Sequence, residues 1–351
     1  MIDELKASGE APEWMTIEGF QTLSGNYLLP GETPRGMYRR VATAAGSYFP
    51  AQAQYWAQRF FDVMWSNWLC LASPVAANMG SERGMPISCN GNHLADSVDG
   101  IFMKNHELAM LSKNGAGVGV YMGDVRGRGV NIKGNGKSEG VIPWAKIFDT
   151  TTCSISQGST RRGATALYLP VEHVDIEEFL KIRRPVGDMN RRCLNVNHGV
   201  CITDAWMKSM LEGDDSKRSI WKEILTARVE TGEPYLFFTD NANNTNPDCY
   251  KDKNLKVSFS NLCTEIDLFT DPDHSFVCCL SSLNLVRYDE WKDTDLVSVA
   301  VRFLDAVLSE YIQKADGVPG LGPSRASAIK GRAIGIGVLG WHTLLQEKSI
   351  P

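Results

Sequence analysis

Short strand-like runs alternate with helix-patterned segments along most of this chain, and that alternation restricts its fold more than any other feature. Gly117 to Tyr121, Ala164 to Pro170 and Gly199 to Ile202 read as strands, and Tyr235 to Phe238 as a buried one. Asp204 to Leu211 reads as a helix stopped by Gly213, and Ile220 to Val229 as a helix ended by Gly232 and Pro234. Leu296, Val299, Ala300, Phe303, Leu304, Val307, Leu308 and Tyr311 mark an amphipathic helix behind Asp293 and Thr294. Such alternation argues for an α/β fold with largely parallel strands. At 351 residues, one large domain or two smaller ones fit, with ample core.

The N-terminal part reads differently. Residues 1–50 carry turn-rich text, Ser24 to Asn26 and Leu29 to Pro34, then Arg39-Arg40, and look like a wrapped arm leading into helices. Over 51–69, Trp56, Phe60 and Met64 fall four apart with Phe61, Trp65 and Trp68 beside them, one broad apolar helix face. An aromatic stripe at this spacing reads as core.

A net charge of −5 argues against a nucleic-acid-coating surface, although local basic loops can still bind phosphates. No apolar run approaches the roughly 20 residues of a membrane span, and Met1-Ile2-Asp3-Glu4 does not open a signal peptide, so a cytoplasmic protein is expected. Nine cysteines in such a chain point to thiols in the core or in catalysis rather than to a disulfide framework. Without Cys-x-x-Cys or paired histidines at ligand spacing, no metal site is expected. Cys70, Cys153, Cys193, Cys201 and Cys249 read as core residues.

Two glycine-rich stretches invite nucleotide-binding readings. Gly136-Lys137-Ser138 imitates the end of a phosphate loop, but position 131 is Asn where the first glycine belongs. Gly335 to Gly340 matches GxGxxG in letters only and is assigned no dinucleotide. The Gly117–Tyr121 strand opening into a basic, glycine-permissive loop with Arg126 and Lys133 remains sound anion-binding chemistry.

The chemistry concentrates on Asn261-Leu262-Cys263-Thr264-Glu265. If this segment is extended, alternation sends Asn261, Cys263 and Glu265 to one side, setting a sulfur between an amide and a potential base. A buried structural cysteine beside a capping Asn has the same spacing. Two further cysteine stretches, Pro86-Ile87-Ser88-Cys89 and Phe276 to Leu285 with Cys278 and Cys279, shift the balance towards function.

Together these three stretches resemble the catalytic large subunit of ribonucleotide reductase, in the family's order from about Leu71 onward. Asn-Leu-Cys-x-Glu resembles the class I enzymes, which depend on a metal-containing small subunit; cobalamin-dependent class II enzymes more often carry Pro at the position of Leu262. The implied fold is the first half, plus the start of the second, of a ten-stranded α/β barrel built from two five-stranded halves. Residues 1–70 form a helical N-terminal region and 71–351 the partial barrel, with Cys263 on a finger loop near 256–270. The regulatory cone that opens many relatives, about a hundred residues long, has no room here, so its on/off switch is expected to be absent. A barrel ending early in its second half would leave open edges, so the chain is expected to be one piece of a split or truncated enzyme, or to take its complementing C-terminal half from another chain.

The resemblance also implies roles. Cys263 would be the thiyl radical that takes the 3′ hydrogen of a ribonucleotide, Glu265 the base for the 3′-hydroxyl, and Asn261 the holder of sugar hydroxyls. Cys89 and Cys278 would supply two electrons and end as a disulfide; Cys279 would face away from Cys278 in an extended segment. Ser73, Ser88 and Gly117 would line the substrate pocket, although either serine could simply cap a turn. Asp96 would bind an effector ribose, with Arg126, Lys133, Gln157 and Arg161 in effector or cross-talk loops. No cofactor would be bound directly. Implied partners are a dNTP or ATP effector, a radical-generating small subunit, a thioredoxin- or glutaredoxin-type reductant and a second copy of the chain. The alternatives are an adenosylcobalamin-dependent reductase, disfavoured by Leu262, and a non-catalytic nucleotide-binding fragment.

Overall fold

The computed structural model describes residues 1–157 and 161–351. The chain divides into two compact units, one of Met1–Ser88, Cys278–Asp316 and Ala328–Pro351, the other of Cys89–Val277 and Gly317–Ser327.

The first unit opens with helices Ile2–Ala7, Ile17–Asn26, Pro34–Gly46 and Ala53–Trp65. The expected turn at Ser24 to Asn26 is instead the last turn of a helix. Thr16 caps that helix by accepting from the Gly19 N–H at 3.0 Å, and its solvent face tolerates Gly25. Thr33 caps the next helix in the same way, with Pro34 in the first turn. Helix Ala53–Trp65 carries the aromatic stripe, and Phe60 packs edge-on against Phe303 with ring centroids 5.4 Å apart. Trp68 lies outside this helix, because Asn67 adopts φ 58° and the Trp68 N–H closes back on Val63 O. The long helix Leu296–Lys314 buries every apolar position expected of it. Strand Phe276–Asn284 pairs antiparallel with Leu69–Leu71 and parallel with Ile334–Leu339. The GxGxxG letters therefore lie in and just after a strand.

The second unit is built on five parallel strands in chain order: Cys89–His93, Gly117–Tyr121, Ala164–Pro170, Asn197–Ile202 and Tyr235–Phe238. Helices Val98–Lys113, Ile142–Ser154, Asp204–Leu211 and Asp215–Thr231 fall between them, as parallel connections require. The last helix starts five residues earlier than its apolar pattern suggests, because Asp214 caps it at the Lys217 N–H. It ends where Gly232 takes φ 80°. Tyr235–Phe238 is only part-buried, since it pairs on one side alone within this unit's sheet.

The core assignment of the five unassigned cysteines needs correcting. Cys193 and Cys201 are buried and Cys70 is half-buried, but Cys153 and Cys249 are exposed, at the end of one helix and in a short surface helix. Among the described residues no helix is long and apolar enough to cross a membrane.

Candidate active site

The site grows from the glycines of the second unit's sheet. In parallel register, Cys89 pairs with Gly117 and Gly91 with Gly119, so all four share one face. A Cβ on Gly117 would lie 2.6 Å from Leu262 Cδ2, and one on Gly119 would lie 2.2 Å from Ser260 O. Only residues without a side chain let the 256–270 segment lie this close to the strands. Further along that face the side chains become large. Phe259, fully buried, stacks on Tyr121 with centroids 5.5 Å apart and packs beside Tyr168 at 5.7 Å and Phe276 at 5.8 Å. Small residues near the tip and an aromatic cage at the base thus hold a finger on the sheet.

The finger is not extended, which corrects the expectation of a strand-like Asn261–Glu265. Asn261 to Thr264 form a turn closed by the Thr264 N–H on Asn261 O at 3.3 Å, and Thr264 takes φ 63°. A β-branched residue there costs about 1–3 kcal/mol. The loop's own polar groups close the turn. Asn261, fully buried, accepts at Oδ1 from the Glu265 N–H at 3.1 Å and donates from Nδ2 to Glu265 Oε1 at 2.8 Å. Ser260 Oγ donates to Ile266 O at 2.8 Å and accepts from the Ile266 N–H at 3.1 Å. These ties lift Cys263 to the exposed tip with Glu265 exposed two residues on. Amide and carboxylate do meet, through a cross-tied turn rather than strand alternation.

The other candidates distribute as follows. Cys89, half-buried, begins its strand on the finger's face, and Ser88, half-buried, precedes it. Cys278 and Cys279 are both buried in the extended Phe276–Asn284 strand, which enters the first unit at Cys278, and so point oppositely. Cys279 Sγ approaches Leu304 O at 3.6 Å, whereas a Cβ on Gly335 would come within 3.6 Å of Cys278 Sγ. Ser73 is exposed in the first turn of helix Ser73–Asn78, with Oγ 2.9 Å from the Tyr27 hydroxyl. Gly117 serves the finger directly, as the space Leu262 occupies.

Of the effector candidates, Asp96 and Arg126 form one unit: the Arg126 Nε lies 2.7 Å from Asp96 Oδ2, and its backbone N–H also donates to Asp96 Oδ1. Lys133 is exposed at the turn of the Asn131–Ile132/Gly136–Lys137 hairpin. Asp175 anchors that loop by accepting from the Arg128 and Val141 N–H groups, both at 2.9 Å. Gln157 is buried in a two-residue ladder with Arg161; the Arg161 side chain and Gly158–Thr160 lie outside the described residues.

Sequence reasoning missed Tyr168, which donates its hydroxyl hydrogen to Asn261 O at 2.6 Å and lies 2.8 Å from Thr264 Oγ1. It also missed Tyr235, whose hydroxyl accepts from Asn197 Nδ2 at 2.8 Å. Burial, then the Glu233 carboxylate, raises the Tyr235 phenol, and the Cys263 sulfur adds to the effect. His93 beside Asp124, at 2.7 Å, holds that carboxyl below its ordinary value. The strand period puts Tyr168 on the same face as Ala164 and Ala166, a signal legible only once the finger's path is known.

The barrel domain of ribonucleotide reductase matches residues 87–217 and 215–351, and that family's all-alpha domain matches residues 14–84. This chain belongs to the ribonucleotide reductase large-subunit family. It resembles the Actinobacillus ureae class Id ribonucleotide reductase alpha subunit, with 43% identity and a TM-score of 0.89 over 96% of this chain and 62% of that one. A candidate ribonucleoside-diphosphate reductase large subunit of Frog virus 3 is 38% identical over 84% of this chain and 54% of its own length. The ribonucleoside-diphosphate reductase large subunit of Invertebrate iridescent virus 3 is 30% identical over 95% of this chain and 62% of its own. The chain therefore spans 54% to 62% of the length of these relatives. Within the family, the helical region at the N-terminus and the parallel sheet carrying the finger are the all-alpha and barrel portions.

Proposed function

We propose that this chain carries the radical chemistry of a class I ribonucleoside-diphosphate reductase, replacing a ribonucleotide 2′-hydroxyl by hydrogen. The observation that carries the reading is the finger turn: an exposed Cys263 thiol at its tip, with the Glu265 carboxylate held by Asn261 at 2.8 Å. A secondary carbon–oxygen bond breaks readily only beside a radical, so the reaction needs a one-electron oxidant near the sugar. Cys263, as thiyl, takes the 3′ hydrogen atom. Glu265 takes the 3′-hydroxyl proton, which requires hydrogen-bond reach of about 3 Å. Asn261 uses Oδ1 and one Nδ2 hydrogen on its own loop, and its second Nδ2 hydrogen serves a sugar hydroxyl. The 2′-hydroxyl leaves as water with a proton from the Cys89/Cys278 pair; the pair's second hydrogen goes to the 2′ carbon, its two electrons leave it as a disulfide, and Glu265 gives its proton back to the 3′ oxygen. Cys263 then returns its hydrogen to the 3′ carbon. Ser73, Ser88 and Gly117 complete the pocket floor.

In this reading a metal-containing small subunit supplies the radical, and a thioredoxin- or glutaredoxin-type protein reduces the disulfide. Effector dNTP binds at Asp96, Arg126, Lys133, Gln157 and Arg161, in a homodimer working in the cytoplasm. The C-terminal half of the barrel completes the substrate site. Leu262, where cobalamin-dependent enzymes more often carry Pro, supports class I.

The test is Cys263→Ser in the complete large subunit assembled with its small subunit. Serine is nearly isosteric but a far poorer hydrogen-atom abstractor, so deoxynucleotide formation should vanish with the fold unchanged. Appreciable turnover in the variant would refute the assignment.

A further inference from the structure

Tyr168 belongs to the sheet, not to the finger, yet its hydroxyl meets the finger at both sides of the turn that presents Cys263. It donates to Asn261 O at 2.6 Å, and that carbonyl also receives the Thr264 N–H which closes the turn. With its one hydrogen so engaged, the phenol oxygen accepts from the Thr264 hydroxyl 2.8 Å away. The first and last residues of the turn are thus tied to one rigid point, a tyrosine with no solvent exposure. Burial raises this phenol well above its ordinary value, so it remains a donor across the working pH range. At the tied end stands a β-branched residue at φ 63°, a conformation its own chain does not favour and which some other contact must hold.

We propose that Tyr168 is the positioning residue of the radical finger: its hydroxyl clamps Asn261 and Thr264 so that the strained turn persists and Cys263 and Glu265 keep their mutual placement. This deepens the reading of the finger as the reaction's centre and rests on it. Three amides report the clamp, since Thr264, Glu265 and Ile266 donate their N–H groups within the turn or to the side chains of Ser260 and Asn261.

The experiment reads amide hydrogen exchange in the complete large subunit, which needs no turnover, and then kcat and KM in the enzyme assembled with its small subunit. Tyr168→Phe should speed exchange in the 257–268 peptide at least about tenfold while strands Gly117–Tyr121 and Asn197–Ile202 stay protected. In the assembled enzyme kcat should fall by a similar factor, with KM nearly unchanged. Adding Thr264→Gly should reverse much of both effects, because glycine holds positive φ without a clamp. A purely structural tyrosine would loosen the sheet as well and would not be rescued at Thr264. Thr264→Val, which removes the hydroxyl but leaves the sheet untouched, should loosen the same peptide even where Tyr168→Phe does not fold. Unchanged finger exchange in these variants would overturn the clamp while leaving the function intact. Turnover in Cys263→Ser would instead refute the function and leave the clamp standing.

Discussion

In the proposed reaction the Glu265 carboxylate has two duties that one substitution separates. Its Oε1 accepts from Asn261 Nδ2, which shapes the finger, and its basicity is what the chemistry requires. Glutamine retains the accepting oxygen and loses the basicity. Glu265→Gln should therefore lower kcat by about 10²–10⁴-fold, the usual contribution of a positioned base, with KM within a few-fold of wild type. Steady-state kinetics on the assembled enzyme decides this, and wild-type kcat would remove Glu265 from the proton transfer. Cys278 and Cys279 show the same dependence on single-residue geometry: one step along an extended strand turns Cys279 to the Leu304 carbonyl of the long helix.

At the scale of elements, the fit of finger on sheet is set by what the strands lack. Gly119 faces Ser260 O so closely that a Cβ would fall 2.2 Å from it, against backbone that cannot swing aside. Gly119→Ala should destabilise the fold by about 1–3 kcal/mol, read from the urea midpoint, and displace the finger. Gly25→Ala is the matched control. Gly25 sits in the last turn of helix Ile17–Asn26 with nothing within 4 Å of a new Cβ, so stability should hold or rise slightly. Equal losses in the two variants would mean that close approach is not what Gly119 provides.

Across the whole molecule, acid sensitivity should follow from His198, which is wholly buried in the second unit. Its Nδ1 lies 3.0 Å from Glu233 Oε2, and Arg183 Nε lies 3.7 Å from the same oxygen. Burial lowers the imidazole pKa from its ordinary 6.5, against the opposing pull of Glu233. The unfolded chain then binds the extra proton first, so stability is full above 6.5 and is lost as pH falls towards the lowered folded value. The urea midpoint should decline as pH is lowered through that window, and His198→Gln, which stays neutral, should flatten the decline. An unaltered slope in the variant would assign the acid sensitivity to other groups.

The sequence by itself determined the elements and the family. Gly117–Tyr121, Ala164–Pro170 and Asp204–Leu211 fall where local pattern puts them, because alternation, caps and breakers are properties of neighbouring residues. Three cysteine motifs in order pointed to the family whose all-alpha and barrel domains match the chain. Tertiary structure alone decided the finger's conformation, since the extended reading of Asn261–Glu265 fails once Asn261 and Ser260 tie the two arms of the loop together. It also decided that Cys153 and Cys249 face solvent, and that Tyr168, some ninety residues from the finger in sequence, closes the turn's hydrogen bonds. Those outcomes depend on groups far apart in the chain meeting across a sheet, and no local periodicity records where distant backbone carbonyls will need a donor.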